Sequence, residues 1–283
     1  MNDEHIMEAL GKTKIVIRNG KIVEIGEPMI NFCPLAAKFN QPVKNFSKDE
    51  IKKNIEYRIV QFGMFTKNRI VISDEDFVPF GASELISLGL KKSIIDGAVV
   101  VCDGAGTVIT KNPKLVQGIG GRMSGLIKTS PIKEVIDRIE KEGGIVLDKE
   151  NATINQVAGT ELAYKLGLSN IAVTVVNAKD AEIIRKNFPN TLIFATHLTG
   201  ISKEEAEILV NVCDLITSCA SKWIREIAGK KAILQAGVSI PVFVMSKKGK
   251  QLILTKLEEL NHQFIVKLEK LPYIGSNQPS PLI

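Results

Sequence analysis

The sequence predicts an α/β protein: a parallel-dominated sheet with helices on both faces, preceded by an N-terminal β-hairpin and helix. Two observations carry this. From Ala82 onward, apolar runs of strand length alternate repeatedly with helix-length stretches, the pattern of strands joined by crossover helices. Those runs show little polar–apolar alternation, as expected of strands buried on both faces. Before residue 69 that rhythm is missing, so the chain divides into an N-terminal section (1–68), an α/β domain (69–261) and a C-terminal extension (262–283).

Taken in order, Asn19-Gly20 between alternating apolar runs signals a two-residue hairpin, because both turn positions need positive φ. Cys33 precedes Pro34, which holds it extended. Ser47 and Glu50 form a capping box with Phe46 stapled to Ile51, opening a helix that shows Ile51, Ile55 and Ile59 on one face and ends near Gly63. A helix over 82–92 leads to a strand over 97–102, read as central. Ser130 is placed as the cap of a helix with Pro131 at its first position and Ile132, Val135, Ile136 and Ile139 inward. Strands follow over 145–147, 171–176, 191–196, 214–217, 232–235 and 241–245. The helices between them are capped by Asn177, by Ser202 with Glu205, and by Ser221, and a helix over 247–260 closes the domain. The Pro-, Ser- and Asn-rich residues 275–283 read as a loose tail.

With 283 residues, 45% of them hydrophobic, the chain can bury a proper core. No run approaches the roughly 18 apolar residues of a membrane span, and the opening MNDEHIMEAL lacks the apolar stretch of a signal peptide, so the expected location is cytoplasmic. The net charge of +6 is dispersed among 31 acidic residues, and aromatics make up only 5%. That balance argues against nucleic acid as partner. Four cysteines, none in a CxxC, point to free thiols or metal ligands and exclude ribbon-type zinc and ferredoxin motifs.

In open parallel sheets ligands gather beyond the carboxyl ends of the strands. Cys102 and Asp103 end one predicted strand, His197 ends another and Cys219 follows a third, while Cys33 could fold over the same edge. Thiolates and imidazole suit soft or borderline metals, so Cys33, Cys102 and Cys219, with His197 as an optional fourth ligand, form a candidate metal or iron–sulfur site. The competing reading is four small buried side chains. Asp103 is a candidate second-shell acceptor or general base, and Cys102 with His197 a candidate thiolate pair. The glycines at 104, 106, 118, 120 and 121 could let backbone N–H groups approach an anion, helped by Arg122 and Ser124, or could simply satisfy tight turns. A second anion seat is the helix start at Ser221, with Lys222 and Arg225.

The blocks FCPL at Phe32, VCDGAGTV at Val101, QGIGGRMSG at Gln117, TSPI at Thr129 and CASKWIRE at Cys219 resemble the methanogenesis marker protein 8 family of archaea over about residues 11–256. The resemblance implies a cytosolic accessory protein of methane-producing metabolism, with a methanogenic enzyme complex such as methyl-coenzyme M reductase as possible client, and transfers no catalytic residue. An iron–sulfur cluster or other soft metal is the suspected cofactor and a small anion the suspected ligand. The alternatives are a transferase or hydrolase for a phosphorylated metabolite, with Asp103 as base, and a non-catalytic scaffold.

Overall fold

The computed structural model describes residues 3–283. The chain opens with β1 (His5–Glu8), β2 (Lys14–Arg18), β3 (Lys21–Ile25) and α1 (Lys48–Phe62), then α2 (Ala82–Lys91), β4 (Gly97–Cys102), β5 (Gly106–Thr110), α3 (Pro113–Gly120) and β6 (Leu126–Lys128). There follow α4 (Lys133–Lys141), β7 (Ile145–Val146), α5 (Gln156–Lys165), β8 (Ile171–Val175), α6 (Ala178–Asn187), β9 (Leu192–Ala195) and α7 (Lys203–Val212). The last elements are β10 (Leu215–Thr217), α8 (Lys222–Lys231), β11 (Leu234–Ala236), β12 (Val242–Val244) and α9 (Lys247–Glu259). No helix among the described residues is long and apolar enough to cross a membrane.

Two sheets result, a four-stranded one in the order β3-β2-β1-β6 and an eight-stranded one in the order β11-β12-β10-β9-β8-β4-β5-β7. Asn19 and Gly20 both take positive φ, as the hairpin turn between β2 and β3 requires. In the large sheet the pairs β4–β8, β8–β9 and β9–β10 are parallel, and β4–β5, β5–β7, β10–β12 and β11–β12 are antiparallel. The sheet is therefore mixed: crossover helices build its parallel centre, and hairpins and returning strands extend both flanks.

Neighbouring residues of each central strand face opposite layers. Val100, Phe194 and Leu215 pack under Leu85 and Ile86 of α2, Leu115 of α3, Val135 of α4 and Leu252 of α9. Val99, Val173 and Ile193 pack against Ala163 of α5, Ala181 of α6, Leu209 of α7 and Ile224 of α8. Residues 99–107 do not form one strand end: Gly104 and Gly106, at φ 81° and 71°, fold β5 back on β4 as a hairpin. The glycine block after it belongs to α3, which Asn112 caps with Pro113 in the first turn. Ser130 caps no helix, since α4 starts after Ile132; its hydroxyl donates to Glu4 O and accepts from Glu4 N, tying β1 to the large domain.

The small sheet and α1 enclose a third core of Met7, Ile15, Ile17, Ile51 and Ile55, which also takes in Ala220 from the rim after β10. The N-terminal section thus folds over the carboxyl edge of the large sheet. His5, fully buried in β1, places Nδ1 2.6 Å from Thr129 Oγ1, which accepts from Gly104 N. Burial holds the His5 imidazole below its ordinary 6.5, with Asp3 and Asp103 opposing the shift. The folded state thus favours neutral His5, so this contribution is complete above pH 6.5 and is lost as pH falls through the lower folded value. We expect the urea midpoint to fall between pH 7 and 5, and to fall less in a His5→Gln variant.

Candidate functional site

The rim divides the expected ligands into two groups, because β8 lies between β4 and β9. Cys102, at the end of β4, is three strand positions from β10, about 14 Å at ordinary strand spacing. Its thiol is fully buried, donates to Asp103 O at 3.3 Å and is pushed well up by burial.

Asp103 is fully buried as well. One carboxylate oxygen accepts from Arg69 Nε at 2.8 Å and the other from Phe65 N at 2.6 Å. Arg69 also donates to the carbonyls of Ile70, Gly118 and Ile119. Asp103 therefore fastens the 63–70 turn and α3 to β4, and the structure surrounds it with donors, leaving neither oxygen turned to an opening. Arg69 was not singled out in sequence, where nothing local marks it.

The second group is built differently. β9 and β10 are adjacent and parallel, and each ends in a tight turn with a non-glycine residue in the left-handed region, His197 at φ 60° and Cys219 at φ 46°. Burial raises the Cys219 thiol, and the backbone N–H groups of Leu198 and His197 oppose it. In the N-terminal section burial raises the Cys33 thiol too, and the N–H groups of Ala36 and Leu35, in the turn that follows Pro34, oppose it. The two thiols lie close enough for Cys33 to raise the Cys219 pKa, and the Arg225 guanidinium of α8 acts on both. Both cysteines are partly exposed.

Arg225 itself is only 4% exposed. Burial lowers its pKa to about 10, and the groups that oppose this are Cys219 and Cys33. No carboxylate pairs with it among the described residues. A buried cation without a counter-charge is costly, and the anions this site can supply are thiolates. Burial pushes both thiols above their ordinary range, while the backbone donors and Arg225 pull the other way.

His197 does not turn its ring to the thiols. Its Nε2 lies 2.9 Å from Glu8 Oε2, joining the β9 rim to β1. Burial raises the Glu8 carboxyl, but the His197 contact and Lys12 outweigh it and hold the carboxyl below its usual value. Among the described residues no group of three or more His, Cys, Asp or Glu is arranged to hold a metal ion. Cys33, Cys102, Cys219 and His197 are therefore not gathered into one ligand set: Cys102 is buried at the end of β4 and the His197 ring turns to Glu8.

The glycines serve close approach. A Cβ on Gly106 would lie 2.2 Å from Ala152 O, and one on Gly118 2.2 Å from Val71 O. Gly104 and Gly121 are similarly hemmed in, by Ile132 and Gln117, whereas Gly120 meets only Ser83 Cβ at 3.3 Å. Arg122 stacks over Phe62 at 4.2 Å, with Nε and Nη1 buried and without partners, and Ser124 is exposed. Ser221 caps α8 through Ile224 N as expected. Lys222, however, lays its ammonium over Trp223 at 4.9 Å, and its backbone N–H donates to Ile283 O at 3.0 Å.

The fold is that of an α/β protein whose two sheets meet at a rim that carries Cys33, Cys219 and the buried Arg225 guanidinium. Residues 5–258 match the model of DUF2099, described as uncharacterised proteins conserved in archaea. The chain belongs to that family. It is similar to an uncharacterised protein of Methanocaldococcus jannaschii, 48% identical over 284 residues that cover 99% of this chain and 100% of the relative.

Proposed function

We propose that this protein is an accessory protein of archaeal methanogenesis that carries a soft metal ion or iron–sulfur unit on Cys33 and Cys219 and hands it to a methanogenic enzyme. The observation that carries the reading is the buried Arg225 guanidinium, whose pKa is acted on by both Cys219 and Cys33 and which pairs with no carboxylate among the described residues. Binding a thiophilic ion replaces two thiol protons by the metal and leaves thiolate charge to balance Arg225. Two protein ligands leave coordination positions for a recipient, which suits transfer better than storage. The methanogenic setting is supported by the resemblance of the FCPL, VCDGAGTV, QGIGGRMSG, TSPI and CASKWIRE blocks to the methanogenesis marker protein 8 family, and is consistent with a family conserved in archaea.

Anaerobic titration with Cu(I) and with ferrous iron plus sulfide tests this. Near-stoichiometric binding is expected in wild type and in Cys102→Ser, and loss of at least about tenfold in affinity in Cys33→Ser and Cys219→Ser. Affinity should rise with pH from 6 to 8, because bound thiols must lose their protons. Equal binding by all four proteins, or none by any, would overturn the reading.

A further inference from the structure

The last residues lie across the thiol site. Asn31 N and Phe32 N donate to Ser280 O at 2.6 and 3.1 Å, and Ser280 N returns to Phe32 O at 3.0 Å, next to Cys33. On the other side Ile283 N donates to Ala220 O at 2.9 Å and Ile283 O receives Lys222 N, next to Cys219. Between these anchors Gln278 Oε1 accepts from both Nε and Nη2 of Arg225, at 3.3 and 3.2 Å. The strap therefore touches both cysteine-bearing turns and the cation between them.

Two features make this contact exchangeable. The side-on edge of a guanidinium matches a carboxylate bidentately, and a charged acceptor there makes a much stronger pair than a neutral amide oxygen. Gln278 Oε1 holds that edge as a neutral acceptor while its Nε2 donates to Val238 O at 2.6 Å, and no carboxylate pairs with Arg225 among the described residues. Beside it the Ser218 hydroxyl, fully buried, has no hydrogen-bond partner, and the Ser218 carbonyl already receives Arg225 Nη1. Upstream, residues 261–270 run outside both sheets, with Ile265, Val266 and Leu268 91–104% exposed. Tyr273 and Gln235 exchange hydrogen bonds at 3.0 and 2.6 Å and pin the chain just ahead of the strap, so lifting is confined to the residues after Tyr273 and leaves α9 undisturbed.

We propose that the Arg225 edge is the seat of a carboxylate carried by the molecule that visits the thiol pair, and that residues 278–283 are a strap which keeps this seat, and both thiols, covered until the carboxylate displaces Gln278. The proposal rests on the thiol pair being the functional site, but not on its binding metal.

The test is the rate of iodoacetamide labelling at Cys33 and Cys219, read peptide by peptide by mass spectrometry on metal-free, full-length protein. Gln278→Ala should raise both rates about tenfold, the loss of hydrogen bonds to a charged donor. Gln278→Glu places a carboxylate in the fork but sets its second oxygen against the Val238 and Gly275 carbonyls that receive Nε2 in the wild type, so its rates should stay about tenfold below those of Gln278→Ala. Succinate, compared with sodium chloride of equal ionic strength, should accelerate labelling of wild type and leave Gln278→Glu unmoved. Rates that ignore both substitutions, or rise as far in Gln278→Glu as in Gln278→Ala, would overturn the strap; a wild-type rate indifferent to succinate would overturn the carboxylate seat. The succinate arm needs no variant to fold. Because the protein carries no metal in this experiment, failure of metal binding and failure of the strap are read separately.

Discussion

Replacing Arg69 by Ala is expected to cost about 3–5 kcal/mol of stability, because it leaves the Asp103 carboxylate buried without its counter-charge. Asp103→Asn should cost a comparable amount, since Arg69 is then the uncompensated ion. Both partners are fully buried, and their Nε–Oδ1 distance is 2.8 Å. The pair also gathers the Phe65 amide and the carbonyls of Ile70, Gly118 and Ile119, so its loss frees donors and acceptors on two separate segments, the 63–70 turn and α3. Urea unfolding of the single variants and of an Arg69→Met, Asp103→Leu double variant checks this. The double variant should recover much of the loss, because replacing both buried charges by apolar side chains removes the imbalance. Near-wild-type stability of either single variant would mean that Asp103 is held for chemistry instead of for the fold.

Gly118→Ala should be comparably damaging, at about 3 kcal/mol or more, because its Cβ would meet backbone, which cannot step aside as a side chain can. The atoms concerned are Val71 O at 2.2 Å and Ile72 Cα at 2.5 Å. Gly120→Ala, two residues on in the same helix, is the control. Its Cβ meets only Ser83 Cβ at 3.3 Å, and alanine's better helix propensity, up to about 1 kcal/mol, offsets that crowding. Thermal unfolding of the two variants should therefore separate them widely. If both are tolerated and an anion protects the wild type against unfolding, the glycine block binds a ligand through its backbone instead of seating α3 on the 69–72 segment.

Much of the fold was legible because its signals are local. Asn19-Gly20 specifies its turn through φ alone, and the side chains of Ser47, Ser202 and Ser221 cap the helices they precede. Ser130 failed as a cap for the opposite reason: a hydroxyl takes whichever backbone group is near, and Glu4 of a distant strand was nearer. β5 escaped notice because GTVIT follows β4 so closely that the two read as one strand and its loop. β1 was hidden in a stretch of only four residues, too short for periodicity to show.

The site was legible only in part. Strand-end position brought out Cys219 and the bend before Pro34 brought out Cys33, yet the same reasoning also admitted Cys102 and the His197 ring. Strand order sets Cys102 apart from the rim of Cys219, since β8 and β9 lie between β4 and β10, and Glu8 of the small sheet takes the His197 ring. The Gln278 strap carried no local signal at all, since its partner Arg225 lies 53 residues away and a Pro-, Ser- and Asn-rich composition reads as unstructured.

By itself, then, the sequence determined the α/β class, the starts of the helices capped at Ser47, Asn177, Ser202 and Ser221, and the residue types that could do chemistry, because propensity, capping and turn geometry act within a few residues. The tertiary structure alone decided that Cys33 and Cys219 reach the same rim as the buried Arg225, and that Asp103 is spent on Arg69. Those outcomes depend on strand order and on how one sheet folds over the rim of another, and contacts between such distant segments are set by packing that no short stretch encodes.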